Sequence, residues 1–191
     1  MFIQTEQTPN PLTLKFLPGR VVMKEGTVFF QTESECSSSP LAKELFSIEG
    51  VNGVFFGSDF ITITKKENHD WQTLKPLIFG KIIDHYNSNQ ELLIKIEDDL
   101  KNNKSNFKEP KQKDNKAVKQ IKDLLDSRVR PAVAMDGGDI IFQSYEDGIV
   151  YLRMQGSCSG CPSSTATLKM GIENMLKHYL PEVKEVRQVD A

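Results

Sequence analysis

The sequence predicts an α+β fold divided into two small domains joined by a polar flexible linker. Three observations predict it. Segments with a two-residue apolar period alternate with segments of helical period along the chain. Residues 101–116 read Lys-Asn-Asn-Lys-Ser-Asn-Phe-Lys-Glu-Pro-Lys-Gln-Lys-Asp-Asn-Lys, with Phe107 as the lone large apolar side chain. Such a stretch cannot bury enough surface to offset the entropy of ordering it. Beyond it, the chain follows the order helix–strand–strand–helix–strand. The expected bounds are a first domain over 1–98, a linker over 99–114 and a second domain over 115–191. A chain of 191 residues suffices for two such units.

In the first domain, the opening residues look like a strand. Leu12, Leu14 and Phe16 then alternate with Thr13 and Lys15, and Pro18-Gly19 marks a turn. Thr27 to Thr32 is a second short β-rich run. Ser39-Pro40 predicts a helix start: the Ser oxygen accepts from a free backbone amide, and Pro suits the first helical position. Leu41, Leu45 and Ile48 follow on one face, and Gly50 supplies the stop. Val51 to Phe56 and Asp59 to Thr64 read as a hairpin across Gly57-Ser58. A second helix is expected between Trp71 and Asn87, with Pro76 disturbing its early part.

In the second domain, Val118, Ile121, Leu125 and Val129 share a helical face, and Pro131 is expected to end or kink that helix. Asp136-Gly137-Gly138-Asp139 reads as a turn. Ile140 to Tyr145 and Ile149 to Met154 are two strands joined at Glu146-Asp147-Gly148. A helix carrying Leu168, Ile172, Met175, Leu176 and Tyr179 follows, closed by Pro181, and Val183, Val186 and Val189 mark a last strand.

Bulk properties exclude several classes. The net charge is −2, without the basic face of a nucleic-acid binder. No apolar run approaches the ~18 residues of a membrane span. Met1 to Glu6 lacks the basic-then-apolar order of a secretory signal and the Arg-rich, acid-poor character of a transit peptide. The three cysteines, Cys36, Cys158 and Cys161, are too few for a disulfide-stapled secreted domain and fit a reducing compartment. No Ser/His/Asp constellation or phosphate-cradling glycine loop occurs, so no enzyme activity is expected.

Cys158-Ser159-Gly160-Cys161 carries the chemistry. Two intervening residues let both sulfurs reach one centre, and Gly156 and Gly160 permit the curl. Pro162 starts the following helix, whose dipole is expected to lower the thiol pKa and favour thiolate. Three readings compete: a metal or cluster site, a dithiol redox pair, and two cysteines used as small hydrophobes. The redox reading loses ground because no Trp precedes the motif and the elements before it are not a βαβ unit. The hydrophobe reading loses ground because the loop is rich in Gly and Ser. Zinc sites and common clusters want about four protein ligands, and this domain offers two cysteines. Two copies about a two-fold axis would supply four thiolates, which predicts a homodimer through the bound group. Cys36 is read as an incidental or semi-buried cysteine, and His69 and His85 as surface or helix-end residues. Asp136 and Asp139 are explained by turn chemistry.

At Arg130-Pro131-Ala132-Val133-Ala134-Met135-Asp136-Gly137-Gly138-Asp139-Ile140 and Gly156-Ser157-Cys158-Ser159-Gly160-Cys161-Pro162-Ser163-Ser164, the chain resembles the C-terminal domain of the NifU-like (Nfu) iron–sulfur family. Thr8-Pro9-Asn10-Pro11, Lys15-Phe16-Leu17-Pro18-Gly19, Ser39-Pro40-Leu41-Ala42 and Val54 to Ile61 resemble the family's N-terminal domain. The resemblance implies a scaffold or carrier that holds a cluster between two subunits, [4Fe–4S] in preference to [2Fe–2S], with Cys158 and Cys161 as its ligands. It implies apo iron–sulfur client proteins and an upstream cluster donor as partners. The expected compartment is the bacterial cytoplasm, or the mitochondrial matrix for a processed eukaryotic chain. The alternative is a dithiol–disulfide oxidoreductase using the same pair; a further rival is a zinc-bridged dimer.

Overall fold

The computed structural model describes residues 2–94, 116–160 and 162–189, without side chains at 162–165. The expected linker over 99–114 lies outside the described residues. The chain folds as two compact units, Met1–Glu97 and Asp98–Ala191.

In the first unit, the strands are β1 (Gln4–Gln7), β2 (Thr13–Leu17), β3 (Val28–Phe30), β4 (Val51–Phe56) and β5 (Ile61–Lys65). They form one antiparallel sheet in the order β1-β2-β5-β4-β3. Helix α1 (Pro40–Phe46) follows β3, and α2 (Trp71–Asn87) follows β5. Side chains alternate across a strand, so Leu14 and Phe16 of β2 enter the core. There they join Val54, Phe56, Ile61 and Ile63 from the sheet, Leu41 and Leu45 from α1, and Leu74, Ile78 and Ile82 from α2. Lys15 takes the opposite face, where its Nζ lies 3.1 Å from Glu6 Oε2 and 4.8 Å from the centre of the Phe60 ring.

Local chemistry sets the helix boundaries. Ser39 Oγ accepts from the Ala42 amide at 3.2 Å, with Pro40 next in line at the first helical position. The same hydroxyl donates to the Leu92 carbonyl at 2.7 Å, tying the chain beyond α2 to the start of α1. Pro76 lies inside α2, where it leaves the Gln72 carbonyl without a helical donor. Burial of Leu74, Ile78 and Ile82 on the core side offsets that loss. The segment Glu33–Ser38 is a 3₁₀ turn that the sequence pattern did not announce.

The second unit has the expected order. It comprises α3 (Lys116–Leu124), α4 (Arg130–Met135), β6 (Gly138–Glu146), β7 (Ile149–Gly156), α5 (Pro162–Tyr179) and β8 (Glu185–Gln188). Strand β7 is central, antiparallel to β6 and parallel to β8. The helical path does not end before Pro131. Instead Leu125–Val129 widens into a π turn in which the Arg130 amide donates to the Leu125 carbonyl, five residues back. A single wide turn of this kind absorbs the donor that proline lacks. It keeps Ile121, Leu125, Val129 and Val133 buried in the core with Ile140, Val150, Leu152, Ile172, Leu176 and Val186.

His85 departs from its expected surface position. It does lie near the end of α2, but it is 2% exposed and neither ring nitrogen has a hydrogen-bond partner among the described residues. Burial holds its pKa below the ordinary value, against the opposing field of Glu44. The native state therefore binds fewer protons at this site than the unfolded chain does. This contribution is fully present above the unfolded pKa of ~6.5 and is lost as pH falls below it. Chemical denaturation at pH 7.5 and 5.5 should show the first unit weaker at the lower pH, and His85→Leu should reduce that difference. Ser39→Ala should cost this unit about 1–3 kcal/mol, since it removes a cap and a buried hydrogen bond together; urea midpoints measure it.

Candidate metal centre

The Cys158 loop connects the end of the central strand β7 to the start of α5. Gly156 and Gly160 bracket it with φ of 62° and 77°, a region that favours glycine. The loop rests on the turn between α4 and β6. The Ser157 amide donates to the Gly137 carbonyl at 3.2 Å, and the Ser157 hydroxyl donates to the Asp136 carbonyl at 2.5 Å. The Ser159 amide donates to the Gly156 carbonyl at 3.1 Å, closing the loop on itself.

Gly138 makes this seating possible. A Cβ at position 138 would lie 2.5 Å from Cys158 Sγ and 2.7 Å from the Gln155 carbonyl oxygen. Neither distance is sterically tolerable, so the sulfur uses space that any other residue at 138 would fill.

The turn is itself fixed by an ion pair. Arg130 Nε donates to Asp139 Oδ1 at 2.8 Å, and a terminal guanidinium nitrogen donates to Oδ2 at 2.9 Å. This is the two-pronged geometry that makes arginine–carboxylate pairs strong. Asp139 is buried, and its Oδ1 also accepts from the Ile140 amide at 2.8 Å. The other terminal nitrogen of Arg130 reaches Asp126 Oδ1 at 3.1 Å, one turn back along the helix. Arg130 is held charged beyond its ordinary range, chiefly by its hydrogen bond to Asp139.

Cys158 differs from expectation in its electrostatics. The helix start was expected to lower its pKa. Burial instead pushes the thiol up to about 12, the fields of Asp136 and Asp139 add to the rise, and a hydrogen bond with Ser157 opposes it. The sulfur belongs to the apolar core of the unit, and the residue is 6% exposed. Desolvation of a thiolate there outweighs the partial charge of a helix end. Its expected partner, Cys161, lies outside the described residues. Among the described residues, no group of three or more His, Cys, Asp or Glu side chains is placed to hold a metal ion. Cys36 is more enclosed than the semi-buried position expected: it is buried in the first unit's core, its Sγ donates to the Thr32 carbonyl at 3.4 Å, and burial raises its pKa to about 11.

The Arg130–Asp139 pair was not evident from the sequence, where turn chemistry accounts for Asp139. The signal available was an arginine before proline, followed nine positions later by an aspartate beyond two glycines.

Comparison with known proteins places the whole chain. The family described as "Scaffold protein Nfu/NifU N terminal" matches residues 3–89, and the family described as "NifU-like domain" matches residues 121–187. A human protein named "NFU1 iron-sulfur cluster scaffold homolog, mitochondrial" is 50% identical over 190 residues, spanning 99% of this chain and 72% of that protein. The protein of the same name from Drosophila sechellia is 52% identical over 99% of this chain and 65% of its own length. This chain thus spans about two thirds of the length of the fly relative. A solution structure of a NifU-like protein from Saccharomyces cerevisiae is 26% identical, covers 50% of this chain and 86% of its own, and superposes with a TM-score of 0.46. The chain belongs to the Nfu/NifU family, with both of that family's domains present.

Gly138→Ala should destabilise the second unit by about 1–3 kcal/mol, the usual cost of overpacking, because the contacts in the way include backbone. Arg130→Met should cost roughly 2–3 kcal/mol by leaving the buried Asp139 carboxylate without its charged donor. Thermal denaturation of the single variants measures both.

Proposed function

We propose that this protein is an iron–sulfur cluster scaffold and carrier rather than an enzyme. The observation that carries the proposal is similarity along nearly the whole chain, at 50–52% identity, to proteins named as such scaffolds. The strand-to-helix loop of the second unit supplies Cys158 and Cys161 as ligands. Two cysteines are half of a four-thiolate set, so a second copy of the chain provides the other two across a two-fold axis. Four thiolates hold [2Fe–2S] or [4Fe–4S]; the family resemblance favours [4Fe–4S]. A cargo held by two bonds per chain leaves by exchange of those thiolates for the cysteines of an apo-protein client. An upstream donor loads the scaffold, and the first unit recognises partners.

Of the two compartments expected, the mitochondrial one fits the names of these relatives, and the bacterial cytoplasm has no such support. The oxidoreductase alternative has no support among the relatives either, and a thiol buried as Cys158 is makes a poor nucleophile.

Anaerobic reconstitution with iron and sulfide tests the reading. Broad visible absorption should appear, with about one four-iron cluster per two chains. Cys158→Ala and Cys161→Ala should each abolish it, and Cys36→Ala should retain it. A full cluster on a demonstrated monomer overturns the shared site. Bound zinc with no visible chromophore overturns the cluster. Rapid reduction of insulin disulfides supports the oxidoreductase instead.

A further inference from the structure

The scaffold reading requires the sulfur of Cys158 to face a second chain, yet in this structure that sulfur faces inward. It packs on Gly138 within the core of the second unit and is almost wholly removed from solvent. A ligand in that position cannot share a cluster with another subunit.

Two of the contacts that hold the loop there lie on one residue. Ser157 joins it to the Asp136–Asp139 turn twice, through its amide to Gly137 and through its hydroxyl to Asp136. Both acceptors are backbone carbonyls of a turn that is itself immobilised by Arg130 gripping Asp139. The turn thus has an anchor of its own in the Arg130–Asp139 pair, independent of the loop that rests on it. On the far side of Cys158, Gly160 has φ of 77°, and a Cβ there would meet nothing within 4 Å among the described residues. Together with Gly156 (φ of 62°) it gives the loop a permissive pivot at each end.

We propose that Ser157 is a positioning residue, a clasp that holds Cys158 inward in the cluster-free chain and must release the turn before the sulfur can serve as a ligand. The inference rests on the scaffold reading for its purpose, though not for its test. Cluster uptake then includes a local opening of the loop, and delivery ends with the sulfur returning against Gly138. In the free chain the clasp shields the thiol from oxidation and from stray metal ions.

Alkylation of the full, reduced, cluster-free chain by iodoacetamide at one fixed pH tests this, with each cysteine followed separately by fragmentation mass spectrometry. In the native chain, Cys158 should react at least tenfold more slowly than in the urea-denatured chain, and its rate should be flat at low urea, the mark of local rather than global opening. Loss of one hydrogen bond should raise the Cys158 rate about five- to tenfold in Ser157→Ala and leave the Cys36 rate unchanged. Ser157→Thr, which keeps the hydroxyl, should restore the slow rate. Equal Cys158 rates in native chain and Ser157→Ala overturn the proposal, as does a native rate matching that of the denatured chain. A Cys158 rate that rises with urea in step with global unfolding also overturns it, since exposure would then need the whole unit to unfold, and this measurement stands even if Ser157→Ala folds poorly. Reconstitution is run in parallel. A chain that takes up no cluster but shows the expected alkylation pattern refutes the scaffold reading and leaves the clasp standing; the reverse result refutes the clasp alone.

Discussion

The second unit is organised around the approach of the Cys158 sulfur to Gly138. Because position 138 has no side chain, the strand-to-helix loop can settle onto the preceding turn and complete the core. That seating decides the chemistry of the thiol. Near a helix start in open water, a cysteine gains from the helix dipole; enclosed by apolar neighbours, its thiolate suffers a larger desolvation cost, and the neutral thiol wins. In this arrangement Cys158 serves as core packing, and the proposed ligand role calls for a different one.

The ion pair beneath it shows why the turn is a sound base. A carboxylate as buried as Asp139 is stable only when its acceptor sites are filled, and Arg130 and the Ile140 amide fill them. Arg130 stands where the π turn meets α4, directly before Pro131. The wide turn directly precedes the proline, and the guanidinium at that junction reaches Asp139 and, one turn earlier, Asp126. A helix irregularity and a buried charge pair therefore meet at one point.

Much of this was legible from sequence because much of it is local. The helix over Trp71–Asn87, the Ser39-Pro40 start and the order of the second unit follow from apolar period and capping chemistry within a few residues. What was not legible depends on distant neighbours. His85 lies near a helix end, a position that suggests exposure, and only the packing around α2 shows that it is enclosed. The raised Cys158 pKa is hidden from the sequence for the same reason, since the motif announces the helix start and says nothing of the sulfur packing on Gly138. The pairing of Arg130 with Asp139 spans nine positions and two elements, and turn chemistry was a sufficient local explanation for the aspartate.

The parallel pairing of β7 with β8 has a consequence for how this unit is made. Ile149 aligns with Glu185 and Leu152 with Gln188, so the central strand acquires its second neighbour only after the whole of α5 has been synthesised. Pairings so far apart in sequence form late. During translation, the hairpin of β6 and β7 and the cysteine loop leave the ribosome with one side of the sheet bare, and Cys158 has no finished interior to enter. The nascent chain therefore passes through an interval in which Cys158 is more open than it will be once folding is complete.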